Sequence, residues 1–145
     1  MHDLNIEIIT PSKVTFSGGA KSITIPGTLG SFQVLFNHAP IISTFETGLV
    51  KVNIDNNKTL FFATGGGTVE VNKNNVLVLA DSLEEVASID VERAGRALER
   101  AKKRIEEKSL GTDLDRAQSA LKRAINRILI VEKYLPRDSV NSRLK

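Results

Sequence analysis

The chain has 145 residues, of which 41% are hydrophobic and 26% charged, enough to bury a core in one or two small soluble domains and too apolar for a disordered chain. Its formal net charge of +3 is unevenly spread, because lysine is the only strong base up to Ala80 while the arginine follows Asp90, an asymmetry that argues against a generic nucleic-acid surface. There is no cysteine, which excludes disulfides, zinc ribbons and thiol nucleophiles, and with only His2 and His38 no metal site is expected.

The opening Met1-His2-Asp3-Leu4 lacks a basic n-region, and nowhere do about eighteen apolar residues run together, so neither a secretory signal nor a membrane span is expected. From Leu4 to Asp81 the apolar period is two. It predicts strands at Leu4–Ile9, Val14–Phe16, Ser22–Ile25, Phe32–Phe36, Leu49–Ile54, Leu60–Ala63, Thr68–Val71 and Val76–Leu79. Thr10-Pro11-Ser12, Pro26-Gly27, Asn37-His38, Asp55-Asn56-Asn57-Lys58 and Lys73-Asn74-Asn75 separate them, turn chemistry whose close spacing suits an antiparallel sandwich or flattened barrel.

Two glycine clusters fail as phosphate loops. Gly65-Gly66-Gly67 runs into a strand and lacks a following Lys-Ser/Thr, so a bulge or close backbone approach is expected there, and Pro26, Gly27 and Gly30 read as a turn. No serine has a paired histidine nearby, and the carboxylates are scattered, so catalysis by this chain is not expected. His38 in Asn37-His38-Ala39-Pro40 reads as a turn residue that bonds backbone.

Composition shifts at Asp81–Ser88, which sets expected domains at 1–87 and 88–145. Beyond it the period becomes three to four. Val91, Ala94, Leu98, Ala101 and Ile105 mark one helix, and Leu114, Ala117, Leu121, Ala124, Ile128, Val131 and Leu135 a second. Asp90 is the expected N-cap of the first, Ser109-Leu110-Gly111-Thr112 breaks the pattern, Thr112 with Asp115 resembles a weak capping box, and Pro136 stops the second helix before a polar tail. The fold class is therefore α+β, an antiparallel β-sandwich followed by an antiparallel two-helix hairpin.

A short connection brings Arg93 level with Arg127, Arg100 with Arg123 and Arg104 with Arg116 on one flank, while Glu92, Glu99, Glu106, Asp115 and Lys122 take the other. A solvated basic face screened by salt is the plainest reading of such a charge run. Against it, these residues are arginine where lysine would serve solubility equally, and small residues at Ala94, Ala97, Ala101, Ala117 and Ala124 let the backbones approach, so several planar forks reach one place. An anion or an acidic partner is expected on this flank. Ile125, Ile128, Leu129, Ile130 and Val131 make the end of the second helix apolar on more than one face, more than a two-helix seam uses.

From about Asn5 to Tyr134 the chain resembles the epsilon subunits of F-type ATP synthase. The resemblance is carried by Pro26-Gly27-Thr28-Leu29-Gly30, Val34-Leu35-Phe36-Asn37-His38-Ala39-Pro40, Gly66-Gly67-Thr68-Val69-Glu70-Val71 and Val76-Leu77-Val78-Leu79-Ala80-Asp81. Ile89-Asp90-Val91-Glu92-Arg93-Ala94 matches the Ile/Leu-Asp-x-x-Arg-Ala motif of the ATP-binding bacterial members, and Ala120-Leu121-Lys122-Arg123-Ala124-Ile125-Asn126-Arg127 looks like the second half of that site. Gln33, Phe36 and Thr68 depart from the residues usual in the family.

The resemblance implies a non-catalytic rotor component of a proton-translocating enzyme, peripheral to the cytoplasmic face of the bacterial cell membrane. In it the sandwich docks on the gamma subunit and the membrane c-ring, and the hairpin restrains ATP hydrolysis by reaching the catalytic alpha and beta subunits. No cofactor is required, and ATP is a regulatory ligand whose implied site comprises Glu84, Asp90, Arg93, Ala94, Arg100, Arg123 and Arg127. The competing readings are a free-standing nucleotide or anion sensor and a small hydrolase; co-purification with a large membrane-bound ATPase separates the first from the sensor, and activity of the isolated chain would favour the hydrolase.

Overall fold

The structure, a computed structural model, describes residues 3–107 and 113–134. It divides between Glu85 and Val86 into a β unit and a helical unit. The β unit holds β1 (Leu4–Ile9), β2 (Val14–Ala20), β3 (Ser22–Gly27), β4 (Gly30–Leu35), β5 (Ile41–Asp55), β6 (Lys58–Asn72), β7 (Asn75–Ala80) and β8 (Leu83–Glu85). In the sheet they follow the order β2-β1-β7-β6-β5-β3-β4, and β8 pairs with β6 off this path. The sheet folds back far enough for β2 to reach β5.

Alternation of side chains across each strand explains the core. Leu4, Ile6 and Ile8 of β1, Val76 and Val78 of β7, Val69 and Val71 of β6, Val50 and Val52 of β5, and Ile23 and Ile25 of β3 are each at most 2% exposed. Burying one such side chain is worth about 1.5–3 kcal/mol relative to leaving it in water. The turns use the residues their geometry requires: Lys73 and Asn74 have φ of 48° and 64°, as a primed two-residue hairpin turn needs. Asn37 is also left-handed, with φ of 64°, and its N–H donates to Asn74 Oδ1 at 2.6 Å.

Several strands differ from the sequence expectation. β2 runs on to Ala20, β4 starts at Gly30 and ends at Leu35, and β5 begins at Ile41, well ahead of Leu49. The expected strands at Leu60–Ala63 and Thr68–Val71 are parts of one strand, β6, because the glycines between them stay in register with β5 through Thr47↔Gly65 and Phe45↔Gly67. The sheet is not wholly antiparallel either, since β1 runs parallel to β7. β8 is a further strand, three residues long, held where the buried Thr64 hydroxyl donates to Ser82 O at 3.0 Å and accepts the Gly66 N–H at 3.2 Å.

The glycine triplet makes the close approach expected of it. Gly66 has φ of 105°, and a Cβ on Gly67 would lie 2.0 Å from Leu79 O and 3.0 Å from Ala80 Cα. His38 is a turn residue as expected, with Nδ1 2.7 Å from Ala39 O.

The helical unit opens with a single 3₁₀ turn at Val86–Ser88, followed by α1 (Val91–Glu107) and α2 (Leu114–Tyr134). The two α-helices pack on each other, and α2 also contacts the 3₁₀ turn. Helices of this length joined through 108–113 must run antiparallel as neighbours. The expected break at Ser109–Thr112, Gly111, the Thr112 half of the capping box, Leu135, the stop at Pro136 and the tail lie outside the described residues. Among the described residues no helix is long and apolar enough to cross a membrane.

Candidate functional site

The helix starts position the arginines. Asp90 caps α1 as expected, its Oδ1 accepting the Arg93 N–H at 3.0 Å while its carbonyl accepts the Ala94 N–H. At α2 the cap is Asp113, whose Oδ1 accepts the Arg116 N–H at 3.1 Å while its carbonyl accepts the Ala117 N–H. That residue replaces the expected Thr112, and the signal for it was present in the sequence: Asp113 stands three residues before Arg116 as Asp90 stands three before Arg93. Replacing Asp90 by alanine should destabilise the helical unit by about 1 kcal/mol, read as lost helicity by circular dichroism, whereas an unchanged melt would deny the cap a role.

The seam is narrow. Ala94 and Ala101 of α1 and Ala117 and Ala124 of α2 are its buried alanines, none more than 3% exposed. Their seven-residue spacing in both helices fits an antiparallel register that sets Ala94 level with Ala124 and Ala101 with Ala117. The same count sets Arg93 near Arg127 and Arg104 near Arg116, each about two residues from level, whereas Arg100 and Arg123, expected level, are offset by about five residues, roughly 7 Å along the axis. At about 100° per residue, Arg93, Arg100 and Arg104 fall within roughly 40° of one another around α1, and Arg116, Arg123 and Arg127 do the same around α2.

Arg93, Arg100, Arg104 and Arg116 are exposed, and Arg123 and Arg127 are half-buried. Among the described residues no carboxylate lies within ion-pair distance of Arg93, Arg100, Arg104, Arg116 or Arg123. The acids of α1 are engaged elsewhere: Glu92 lies 3.8 Å from Arg96 and Glu99 lies 4.0 Å from Lys102, both toward the opposite side of the helix. At these five positions the flank concentrates guanidiniums without a carboxylate beside them among the described residues, a surface suited to an anion with several closely spaced charges.

Of the expected site residues, Asp90, Arg93, Ala94 and Arg100 are on or at the start of α1, and Arg123 and Arg127 are on α2. Glu84 belongs to β8 of the β unit, opposite Ala63 of β6. An open cleft of about 670 Å³ is lined on α1 by Glu92, Gly95, Arg96, Leu98, Glu99 and Arg100, and includes only Arg100 from the flank. At the far end of α2, Ile130 and Val131 are buried while Ile125 and Leu129 stay 39% and 58% exposed, so the excess apolar surface expected there is only partly covered.

The β unit carries a second candidate surface. Val14, Ile9, Leu79, Thr68 and Thr44 stand level across β2, β1, β7, β6 and β5, on the face turned away from the core. Val14 and Leu79 are about half exposed, Ile42 of the same face is 75% exposed, and Leu29 at the β3–β4 turn is fully exposed. Apolar side chains gathered in this way mark an interaction surface.

Comparison with known proteins agrees with both units. The family model described as ATP synthase, Delta/Epsilon chain, beta-sandwich domain matches residues 3–86, and the one described as ATP synthase, Delta/Epsilon chain, long alpha-helix domain matches residues 88–132. The chain is 40% identical over 128 residues to the ATP synthase epsilon chain of Moorella thermoacetica, covering 88% of this chain and 96% of that one. It is 39% identical over 127 residues to the ATP synthase epsilon chain of Desulforamulus reducens, with the same two coverages. Among solved structures, a chain of the Euglena gracilis mitochondrial ATP synthase (OSCP/F1/c-ring, rotational state 1) shares the fold with a TM-score of 0.76 at 18% identity, over 92% of this chain and 83% of that chain.

Proposed function

The chain belongs to the delta/epsilon family of ATP synthase subunits, and from that membership we propose that it works as a non-catalytic epsilon subunit of the central stalk, with the β unit docking on the rotor and the hairpin acting as an ATP-sensing regulator. The docking half is supported by the outward apolar row around Val14, Leu79 and Ile42, suited to the gamma subunit, and by the exposed Leu29 turn, suited to the membrane c-ring. In this role the chain sits at the cytoplasmic face of the bacterial cell membrane in a proton-translocating enzyme. Extended, the hairpin would reach the catalytic alpha and beta subunits and restrain ATP hydrolysis.

The observation that carries the regulatory half is the flank of arginines beside an alanine seam, in which Arg93, Arg100, Arg104, Arg116 and Arg123 have no carboxylate within ion-pair distance among the described residues. In the compact hairpin, Arg93, Arg100, Arg123 and Arg127 face the phosphates of one ATP, Asp90 is directed to its base or ribose end, and Ala94 keeps the backbones close. ATP favours the compact state only by its differential affinity for that state.

Calorimetric titration of the isolated chain with ATP tests this. Arg123→Ala and Arg127→Ala should each weaken binding by about 1.5–3 kcal/mol, roughly ten- to a hundredfold, and together abolish it. Absence of ATP binding by the unmutated chain at millimolar concentration would leave the flank only a docking role.

A further inference from the structure

The hairpin contains the same pattern twice. Asp90-Val91-Glu92-Arg93-Ala94-Gly95-Arg96-Ala97-Leu98-Glu99-Arg100-Ala101-Lys102-Lys103-Arg104 and the run from Asp113 to Arg127 share Asp, Arg-Ala, Ala-Leu, Arg-Ala and the final Arg at a constant offset of 23 residues. The repeat is structural as well as sequential. Both aspartates cap their helices through the N–H of the following arginine, at 3.0 and 3.1 Å, and both Arg-Ala pairs bury the alanine and leave the guanidinium on the flank.

Two copies of one helix packed antiparallel are related by a twofold axis across the seam, and here that axis passes between Arg100 and Arg123. It carries Asp90, Arg93 and Arg127, at the end of the hairpin where α1 starts, onto Asp113, Arg116 and Arg104 at the tip. Arg100 and Arg123 exchange with each other, Arg100 lying on the tip side of the axis and Arg123 on the other.

We infer that Arg104 and Arg116, with Arg100, form a second phosphate-binding subsite at the tip of the hairpin. The subsite takes a phosphate group without a nucleoside, because the repeat duplicates guanidiniums and a capping aspartate, while Glu84 precedes the repeat and has no counterpart in it. Phosphate suits the tip better than a single carboxylate, since two nearly level arginines and a third one turn away ask for an anion with multiple adjacent charges. The inference rests on the ATP-binding reading only in sharing Arg100.

The test is calorimetric titration of the full-length chain with inorganic pyrophosphate and, separately, with ATP. Arg104→Gln with Arg116→Gln should weaken pyrophosphate binding about tenfold or more and ATP binding less than about threefold, and Arg93→Gln with Arg127→Gln should do the reverse. Circular dichroism checks that both double variants keep their helices. Equal loss of both ligands on changing Arg104 and Arg116 would make those residues part of a single ATP site and overturn the inference. Pyrophosphate binding that ignores the Arg104/Arg116 change, or is absent in the unmutated chain at millimolar concentration, would leave the tip a solvated basic surface. If ATP fails to bind while pyrophosphate behaves as expected, the ATP reading falls and the tip subsite stands.

Discussion

Gly67→Ala should destabilise the β unit by about 3 kcal/mol or more, a large share of the roughly 5–15 kcal/mol that holds a small domain folded. The cause is steric. A Cβ at this position would lie 2.0 Å from Leu79 O, inside the β6–β7 ladder where Gly67 pairs with Ala80, so the two strands must separate to admit it. The turn of chain from β7 to β8 is built on the same spot, with the Asp81 N–H donating to Gly66 O at 2.8 Å and Gly65 N–H to Ser82 O. Thermal unfolding should show a midpoint lowered by more than about 12 °C, taking roughly 4–8 °C per kcal/mol for a domain of this size. Gly95→Ala is the matched control. Its Cβ meets nothing within 4 Å, and inside α1 the change should stabilise the helix by about 0.5–1 kcal/mol. Equal melts for Gly67→Ala and the unmutated chain would show that β6 and β7 do not approach as described.

Ending the chain after Ala87 should leave a cooperatively folding β protein and, in the assembled enzyme, raise ATP hydrolysis. The first outcome follows from where the core lies: among the described residues the buried cluster of the β unit runs from Leu4 to Leu83 and is drawn from its strands. The hairpin, by contrast, buries mainly alanines along its seam, and two helices of this kind are marginal without further support. The second outcome rests on the proposed role of the basic flank, which the truncation removes and whose electrostatic docking on the catalytic subunits would weaken as salt rises. Urea denaturation of the fragment and hydrolysis by the truncated complex are the two measurements. A fragment without a cooperative transition would deny the β unit its independence, and hydrolysis no faster than that of the full complex under any nucleotide or salt condition would remove the inhibitory role.

What the sequence determined by itself was local. The bounds of α1, the cap at Asp90, the hairpin turns at Asn56-Asn57 and Lys73-Asn74, and the placing of six arginines on one flank follow from periods of two and three to four and from residues that favour particular backbone angles. Such signals act over a few residues and survive in any tertiary setting. Asp113 lay within the same reach and was obscured by Thr112 beside it, which has the same capping chemistry.

The tertiary structure alone decided which distant strands became neighbours. β1 lies parallel to β7, some seventy residues on, through Asn5↔Asn75 to Ile9↔Leu79, and no alternation along either strand records that direction. β5 and β6 run unbroken through Gly48 and the glycine triplet because each supplies the other's hydrogen bonds at those places, and β8 forms because Thr64 and Ser82 meet across β6. Glycine in a strand weakens it when nothing faces it, and at Gly67 the approach of the Leu79 carbonyl turns that weakness into a requirement. Pairing partners are set by the whole core at once, so a local pattern could state that these segments were strands and could not state beside what.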